Sequence, residues 1–376
     1  MAVTSTYKPT DNGIHVLIGK YEINNIESID VMRSIETIPS NFTITLTLSL
    51  PDGTTSALDM LNTLDKVTIW SNQTIIHHGV LERKPRRVNS QSLEVAISGR
   101  STIRNIFDCA AQNPGLNITA TGLIDLMQQV CTPLRIEGNI IDTRPDSATE
   151  QSLTGFNLNM GENVWPVISR AASYEGVIVY DSPQGDFIVS SVNTSSSPVS
   201  TLDSNAPILD MDLVEDDSER FATYQVVLQP VSMSSETFDA PVQGIAYDDE
   251  IKKLDPYRTK QIINATMNAQ GTYSQTLANW TRNRAWARSK VLSVTVAGHT
   301  YAPGKIWDVE QMVKIDLPKL NLKDTWIITD ASYHYSRDAG EITALRLMHP
   351  LGLTPEPIVI AGGVAAVELP NSSANN

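Results

Sequence analysis

Phe42-Thr43-Ile44-Thr45-Leu46-Thr47-Leu48-Ser49-Leu50 alternates apolar and polar residues without a break. Successive side chains of an extended chain point to opposite faces, so this stretch predicts a strand with one buried and one wet face. Pro51-Asp52-Gly53, directly behind it, supplies turn chemistry. Outward from this strand, weaker alternation at Ile14–Ile18 and Ile29–Val31 comes before it. Strand runs at Val67–Trp70, Thr74–Leu81 and Leu93–Ser98 come after it, separated by short polar breaks. Many short strands joined by tight turns predict a sandwich or barrel.

The pattern changes near residue 104. Gly122–Val130 carries apolar residues at helical spacing and Pro133 ends it; Asn163–Tyr174 is a second helix, with Gly176 placed to cap its C-terminus. Val177–Tyr180 and Asp186–Ser190 flank a hairpin turn, Ser182-Pro183-Gln184-Gly185. Residues 104–206 therefore read as a small α/β domain that ends in the Ser/Thr-rich linker Asn193–Ser200. Beyond Asp210 strand runs return at Thr223–Leu228, Val291–Ala297, Met312–Leu317, Trp326–Thr329 and Thr343–Leu347, interrupted by one helix, Ser274–Lys290. The predicted organisation is an N-terminal β-barrel domain over 1–103, the α/β domain over 104–206, a second β-barrel domain with an inserted helix over 207–352, and an extended tail over 353–376.

The two β regions echo each other. Asp65–Trp70, Val80–Arg83 and Ser92–Ile97 follow the same strand, loop, strand, turn, strand order as Gln311–Asp316, Trp326–Asp330 and Glu341–Leu347. The echo predicts an internal duplication.

Composition narrows the function. The 376 residues carry 28 Lys and Arg against 42 Asp and Glu, a net charge of −14. That balance opposes general affinity for nucleic acid or anionic lipid, since phosphate binding needs clustered cations. Two cysteines, Cys109 and Cys131, are too few for a disulfide framework and too far apart for a metal site. Met1–Thr6 lacks the basic and apolar segments of a secretory signal, and no apolar run is long enough to span a bilayer, so folding in a reducing cytoplasm is expected.

Motifs for chemistry are sparse: the sequence has no nucleophile elbow, no phosphate-binding glycine loop and no zinc spacing. His77-His78 on a strand point to opposite faces and read as a solvated strand end. Asp210-Met211-Asp212 with Glu215-Asp216-Asp217 lacks the ligand alternation of a calcium loop and reads as a solvated acidic connection. Arg83-Lys84-Pro85-Arg86-Arg87 is the strongest basic run and reads as a solvated hairpin or a contact with an acidic neighbour. Arg282, Arg284 and Arg288 lie at helical spacing beside Trp280, ready to pair with acids inside the chain or across a subunit boundary. A hydrolase would need a carboxylate pair in a cleft, and nothing in the sequence favours one.

One ordered set of motifs remains: Val31–Glu36 leading into Phe42–Leu50, Ile97–Ser101 with Asp108–Ala110, Gly161–Trp165 through Ala171–Gly176, then Trp280, Asn283, Arg284, Arg288 and Ser289. Gly304–Trp307, Val313–Asp316 with Pro318, and Thr354–Pro357 complete it. In this order the set resembles the baseplate hub proteins of Mu-like contractile phage tails, whereas Pro230 to Asp255 fits poorly. The resemblance implies a mainly β, α+β fold with two tail-tube-like barrels per chain, arranged as a homotrimeric, pseudo-sixfold ring. It implies a structural role without enzyme activity or cofactor, in the virion baseplate, after assembly in the host cytoplasm. Its implied partners are the tail tube protein, the central spike protein and other baseplate proteins, with DNA passing through the channel unbound and no membrane insertion. Trp280, Arg284, Arg288 and Trp307 are the candidate subunit-interface or ion-pair residues. A carbohydrate- or receptor-binding β protein of a tail tip is the alternative, and would show exposed aromatics around a groove.

Overall fold

A computed structural model describes residues 9, 12–23, 26–49, 61–88, 92–112, 117–145, 153–192, 196–228, 243–264, 271–357, 359–360 and 363–364. The turn expected at Pro51-Asp52-Gly53, residues 193–195 of the linker, 230–242 of the poorly fitting stretch and most of the expected tail lie outside the described residues.

The alternation in Phe42–Leu46 does what extended geometry requires. Phe42, Ile44 and Leu46 are buried while Thr43 and Thr45 stay half-exposed within strand Asn41–Ser49. Each such buried side chain contributes about 1.5–3 kcal/mol relative to exposure, and the strand's two edges are hydrogen-bonded to Ile26–Ser34 and Ser92–Ser101. Propagated outward, this pairing gives one sheet of 14 strands among the described residues.

The sheet contains two ladders of the same design. In the first the order is Ile14–Ile18, Lys66–Ser71, Thr74–Arg83, Ser92–Ser101, Asn41–Ser49, Ile26–Ser34. In the second it is Ser200–Leu202, Met312–Leu317, Leu322–Ser336, Gly340–Met348, Lys290–Ala297, Ile208–Glu215. Taken in chain order, the six strands of each ladder occupy the same six places. Even the irregularities coincide. The register slips between Leu81 and Arg83 opposite Gly99 and Ser98, and again between Ile328 and Asp330 opposite Leu347 and Arg346. It slips between Ile26 and Ser28, and again between Ile208 and Asp210. The ladders differ at one end: Ile14–Ile18 runs antiparallel to its neighbour, and Ser200–Leu202 runs parallel.

Two closed barrels were the expectation, and no closed barrel forms among the described residues. The reason lies in Leu322–Ser336, a strand of 15 residues. Its first part pairs with Met312–Leu317 inside the second ladder, and its later part, Asp330 to Ser336, pairs with Ser34 to Ser28 of the first. The ladders therefore merge into one open sheet over one core, in which Ile44, Ile69 and Ile97 share a cluster with Val294, Ile328 and Leu345.

The second ladder also carries more than the one inserted helix expected. Where the first ladder turns from Ile26–Ser34 to Asn41–Ser49 through residues 35–40, the second inserts residues 216–289. The insertion holds a sheet of Gln243–Tyr247, Thr223–Leu228 and Thr259–Asn264, a short helix Asp249–Leu254, and the long helix Gly271–Arg288. It has its own small core of Tyr224, Val226, Ala246, Tyr273, Leu277 and Ala278. Asp248 caps the short helix by accepting from the Glu250 and Ile251 N–H groups and also holds the buried Arg220, which donates to its two carboxylate oxygens at 2.9 Å each. The acidic stretch read as a connection is likewise structured: Asp210 to Glu215 lie in strand Ile208–Glu215, at the edge of the sheet.

The α/β region packs helices Leu123–Cys131 and Val164–Glu175 on a separate core with Ile118, Phe156, Phe187 and Val189. Gly176 ends the second helix in the left-handed region at φ +67°, and its N–H bonds the Ala172 and Ser173 carbonyls, which is the capping role expected for it. Gly185 turns the hairpin at φ +83° with the Thr102 hydroxyl donating to its carbonyl at 3.0 Å. No helix among the described residues is long and apolar enough to cross a membrane.

Candidate functional site

The three regions meet in a buried polar junction. Arg33, at the end of the first ladder's edge strand, donates from Nε to Asp308 Oδ1 at 2.8 Å and from Nη2 to Asp308 Oδ2 at 3.3 Å. The same Nη2 donates to the Asp181 carbonyl of the α/β region at 2.9 Å. Asp181 in turn accepts from the Ser40 backbone N–H at 3.2 Å and from the Ser40 hydroxyl. Tyr180 donates its hydroxyl to Glu310 at 2.5 Å, and Ser190 also donates to Glu310. Burial works against the Arg33 cation, but Asp308 and Asp181 outweigh it and leave its pKa above the ordinary value. Burial, with a smaller contribution from Asp308, holds the Glu310 carboxyl above its usual range against the bonds from Ser190 and Tyr180.

Ser40, His77 and Asp181 belong to this junction, and their arrangement is structural. The Ser40 hydroxyl touches both His77 Nδ1, at 3.3 Å, and the Asp181 carboxylate. A catalytic relay needs the imidazole between the other two, with the hydroxyl open to substrate; here all three residues are buried. The solvated strand end expected at His77-His78 is corrected for His77, which lies mid-strand in Thr74–Arg83 against the Phe42 ring, with centroids 5.1 Å apart. Burial, then the charge of Arg33, pushes its pKa down to about 3. His78 points the other way, to the Thr68 hydroxyl at 2.8 Å.

A second meeting point forms around the long helix. Trp280 Nε1 donates to the Thr354 carbonyl at 2.9 Å; Arg284 Nη1 donates to the Gly352 and Thr354 carbonyls at 3.0 and 3.2 Å; Arg288 Nε donates to Gly352 at 3.0 Å. The Arg284 guanidinium lies over the Trp280 ring, 5.4 Å from its centroid. Arg288 pairs with Glu36, and Arg284 Nη2 lies 3.7 Å from the same carboxylate. These arginines thus pair inside the chain, and they bind the insertion to the very turn, 35–40, that stands at its place in the first ladder. The carbonyls they hold belong to the helical turn Pro350–Leu353 and the residue after it.

A cleft of about 390 Å³ opens beside this cluster, lined by Ile35, Glu36, Trp165, Trp280, Arg284 and Glu356 among others. Two tryptophans in a groove are what a carbohydrate-binding reading asks for. Their rings already have partners, however: Arg284 lies over the Trp280 face and its Nε1 is bonded to the Thr354 carbonyl, and Trp165 packs on Phe107, with ring centroids 5.2 Å apart.

Trp307 stands apart from the other three candidates. It is 3% exposed in the shared core, packs on Tyr301 at a centroid distance of 5.2 Å, and its carbonyl accepts the Tyr333 hydroxyl. Asp181, Asp308 and Glu310 went unmarked in the sequence, and Arg33 stood there only as part of the motif Val31–Glu36. Arg33 sits at an inward position of an alternating strand, and a cation there was the available signal.

Residues 104–191 match the family model described as baseplate hub protein gp44-like, second domain. The baseplate hub protein gp44 of Escherichia phage Mu is 24% identical over 307 residues, covering 80% of this chain and 78% of its own. Among solved structures, a tail protein of the prophage MuSo2 from Shewanella oneidensis has a TM-score of 0.77 at 17% identity, covering 90% of this chain and 99% of its own. A tail protein from Neisseria meningitidis has a TM-score of 0.72 at 20% identity, covering 89% and 96%.

Proposed function

We infer that this chain, a tail protein resembling the Mu-like baseplate hubs and a component of the virion, is the structural adaptor between a sixfold tail tube and a threefold central spike of a contractile tail. The observation that carries this reading is the repeated ladder. A ring of three chains with two equivalent ladders each presents six near-identical positions on one face while keeping threefold symmetry on the other. The merged sheet and common core fit that task, because the two ladders are held rigidly enough to act as adjacent places in one ring. The role is structural, with other baseplate proteins as further partners.

The channel is the second part of the proposal. Each chain carries −14, so three carry −42, three times that value. Acids on the lumen wall repel duplex DNA and let it slide, and screening beyond about 8 Å confines the effect to the wall itself.

The adaptor reading is tested by light scattering of the full chain with electron microscopy of the particles formed. A mass of three chains and a ring with six lobes on one face is expected. A chain that stays monomeric at tens of micromolar and forms no ring on mixing with tail tube protein contradicts it.

A further inference from the structure

The buried junction holds three polar atoms that nothing in the chain answers. Arg33 Nη1, His77 Nε2 and Ser101 Oγ are each sealed from solvent and have no hydrogen-bond partner among the described residues. The residues that carry them are 1%, 0% and 0% exposed. A buried polar group without a partner forfeits its hydration, so folded proteins rarely keep one, and three in one place point to a shared partner.

The three belong to one spot in the first ladder. Gly79 lies opposite Ser101 and Leu81 opposite Gly99, so His77, Gly79 and Leu81 face the same way as Gly99 and Ser101. The His77 ring folds back over Gly79: a Cβ there would stand 2.5 Å from Nε2, which occupies the side-chain position that glycine leaves free. Directly opposite side chains begin only about 4.5–5.5 Å apart, which sets the Ser101 hydroxyl beside Nε2. Arg33 reaches the same spot from the edge strand. Its Nη2 donates to the Asp181 carbonyl at 2.9 Å, and the Asp181 carboxylate holds Ser40. Ser40 in turn touches both other residues, its carbonyl accepting from the Ser101 N–H at 2.8 Å and its hydroxyl meeting His77 Nδ1 at 3.3 Å.

These bonds fix what each open atom requires. A carboxylate only accepts, so the Ser40 hydroxyl gives its proton to Asp181 and must itself accept from His77 Nδ1. The His77 proton is then on Nδ1, and Nε2 is a bare acceptor. Arg33 Nη1 only donates, and the Ser101 hydroxyl does either. One donor, one acceptor and one group of both kinds match a water molecule, which makes about three hydrogen bonds when buried. Charge counts against the other small ligands. Asp181 and Asp308 already outnumber the Arg33 cation, which disfavours chloride, and a metal ion would find one bare ligand, His77 Nε2.

We propose that an internal water molecule bridges Arg33 Nη1, His77 Nε2 and Ser101 Oγ, accepting from the guanidinium and donating to the imidazole and the hydroxyl. It completes the hydrogen bonding of the first ladder where Asp181 of the α/β region docks, so solvent is a built part of that joint. The inference is independent of the ring and of the adaptor reading.

Crystals of the full chain that diffract far enough to show ordered solvent test it directly. Density about 2.7–3.2 Å from all three atoms is expected. A dry pocket, or a Ser101 hydroxyl bonded straight to His77 Nε2, overturns it. Nitrogen-15 NMR of histidine-labelled protein finds the His77 proton on Nδ1 at neutral pH, and a proton on Nε2 overturns it as well. Stability supplies an independent sign. At a hydrated site Ser101→Ala removes a bonded group and lowers the folded-to-unfolded ratio roughly threefold to tenfold, whereas in a dry pocket it removes an unpaired hydroxyl and raises that ratio. A ratio that rises or holds constant in urea denaturation overturns the bridge.

Discussion

Strand Ile26–Ser34 and strand Ile208–Glu215 hold the same place in their ladders, down to the same register slip. The first is roofed by Leu322–Ser336, and at its inward positions Ile29, Val31 and Arg33 are buried. The second has, among the described residues, a neighbour on one side only, and the matching Met211, Leu213 and Glu215 are half-buried or exposed. One geometry has thus been given two chemistries. The covered copy spends its inward positions on packing and a sequestered cation. The open copy carries acids, which keep an unpaired edge from joining indiscriminate neighbours. The insertion sharpens the contrast, since it grows from the open copy and is held back onto the covered one through Glu36.

The contrast breaks most visibly at Arg33. Arg33→Ala leaves the half-buried Asp308 carboxylate and the Asp181 carbonyl without their buried donor and lowers stability by up to about 3–5 kcal/mol. Glu215→Ala, at the matching position of the other ladder, costs less than about 1 kcal/mol. Urea denaturation of the two variants side by side measures the difference, and equal losses would erase the distinction between the strands.

His77, opposite Ile69, gives a smaller, pH-dependent effect that its exposed counterpart in the second ladder, Asp324 opposite Ile315, cannot give. With the folded pKa near 3 and the unfolded value near 6.5, the unfolded chain binds a proton that the folded chain refuses. The stability involved is complete above about 6.5 and drains as the pH falls toward 3, by a few kcal/mol at most. Glu310, held above its ordinary value, acts in the opposite sense: its contribution is present at low pH and lost as the pH rises through its folded pKa. Melting temperatures of His77→Gln across this range should lose the first slope and keep the second.

The smallest effect belongs to Glu36. Its partners Arg284 and Arg288 are about one-third exposed, so Glu36→Gln costs only about 0.2–1 kcal/mol. A loss several times larger, read by thermal denaturation at low and high salt, would mean that the insertion depends on this pair for its seat.

Strand placement was legible because alternation reports which face is buried, and Thr223–Leu228 and Met312–Leu317 appear with the bounds expected. Alternation does not report which edge meets which. The pairing of Leu322–Ser336 with Ile26–Ser34 spans most of the chain and left no local signal, so two barrels were expected where one sheet forms. Asp210-Met211-Asp212-Leu213 does alternate, but its acids outweighed the period and hid a strand. At the second meeting point, helical spacing was enough to group Trp280, Arg284 and Arg288. It was not enough to find Glu36, which comes from a turn far away in sequence, and the indole of Trp307 looked no different in sequence from one at a surface.

The long strand Leu322–Ser336 also imposes an order on synthesis. Ile26–Ser34 leaves the ribosome early, but the strand that covers its edge follows about 300 residues later, on the order of 15–60 s at typical elongation rates. Throughout that interval the edge of Ile26–Ser34 lacks its covering strand, and an uncovered strand edge is prone to pairing with another chain. Crowded translation therefore puts the burden on holding this early edge apart until the strand that covers it arrives.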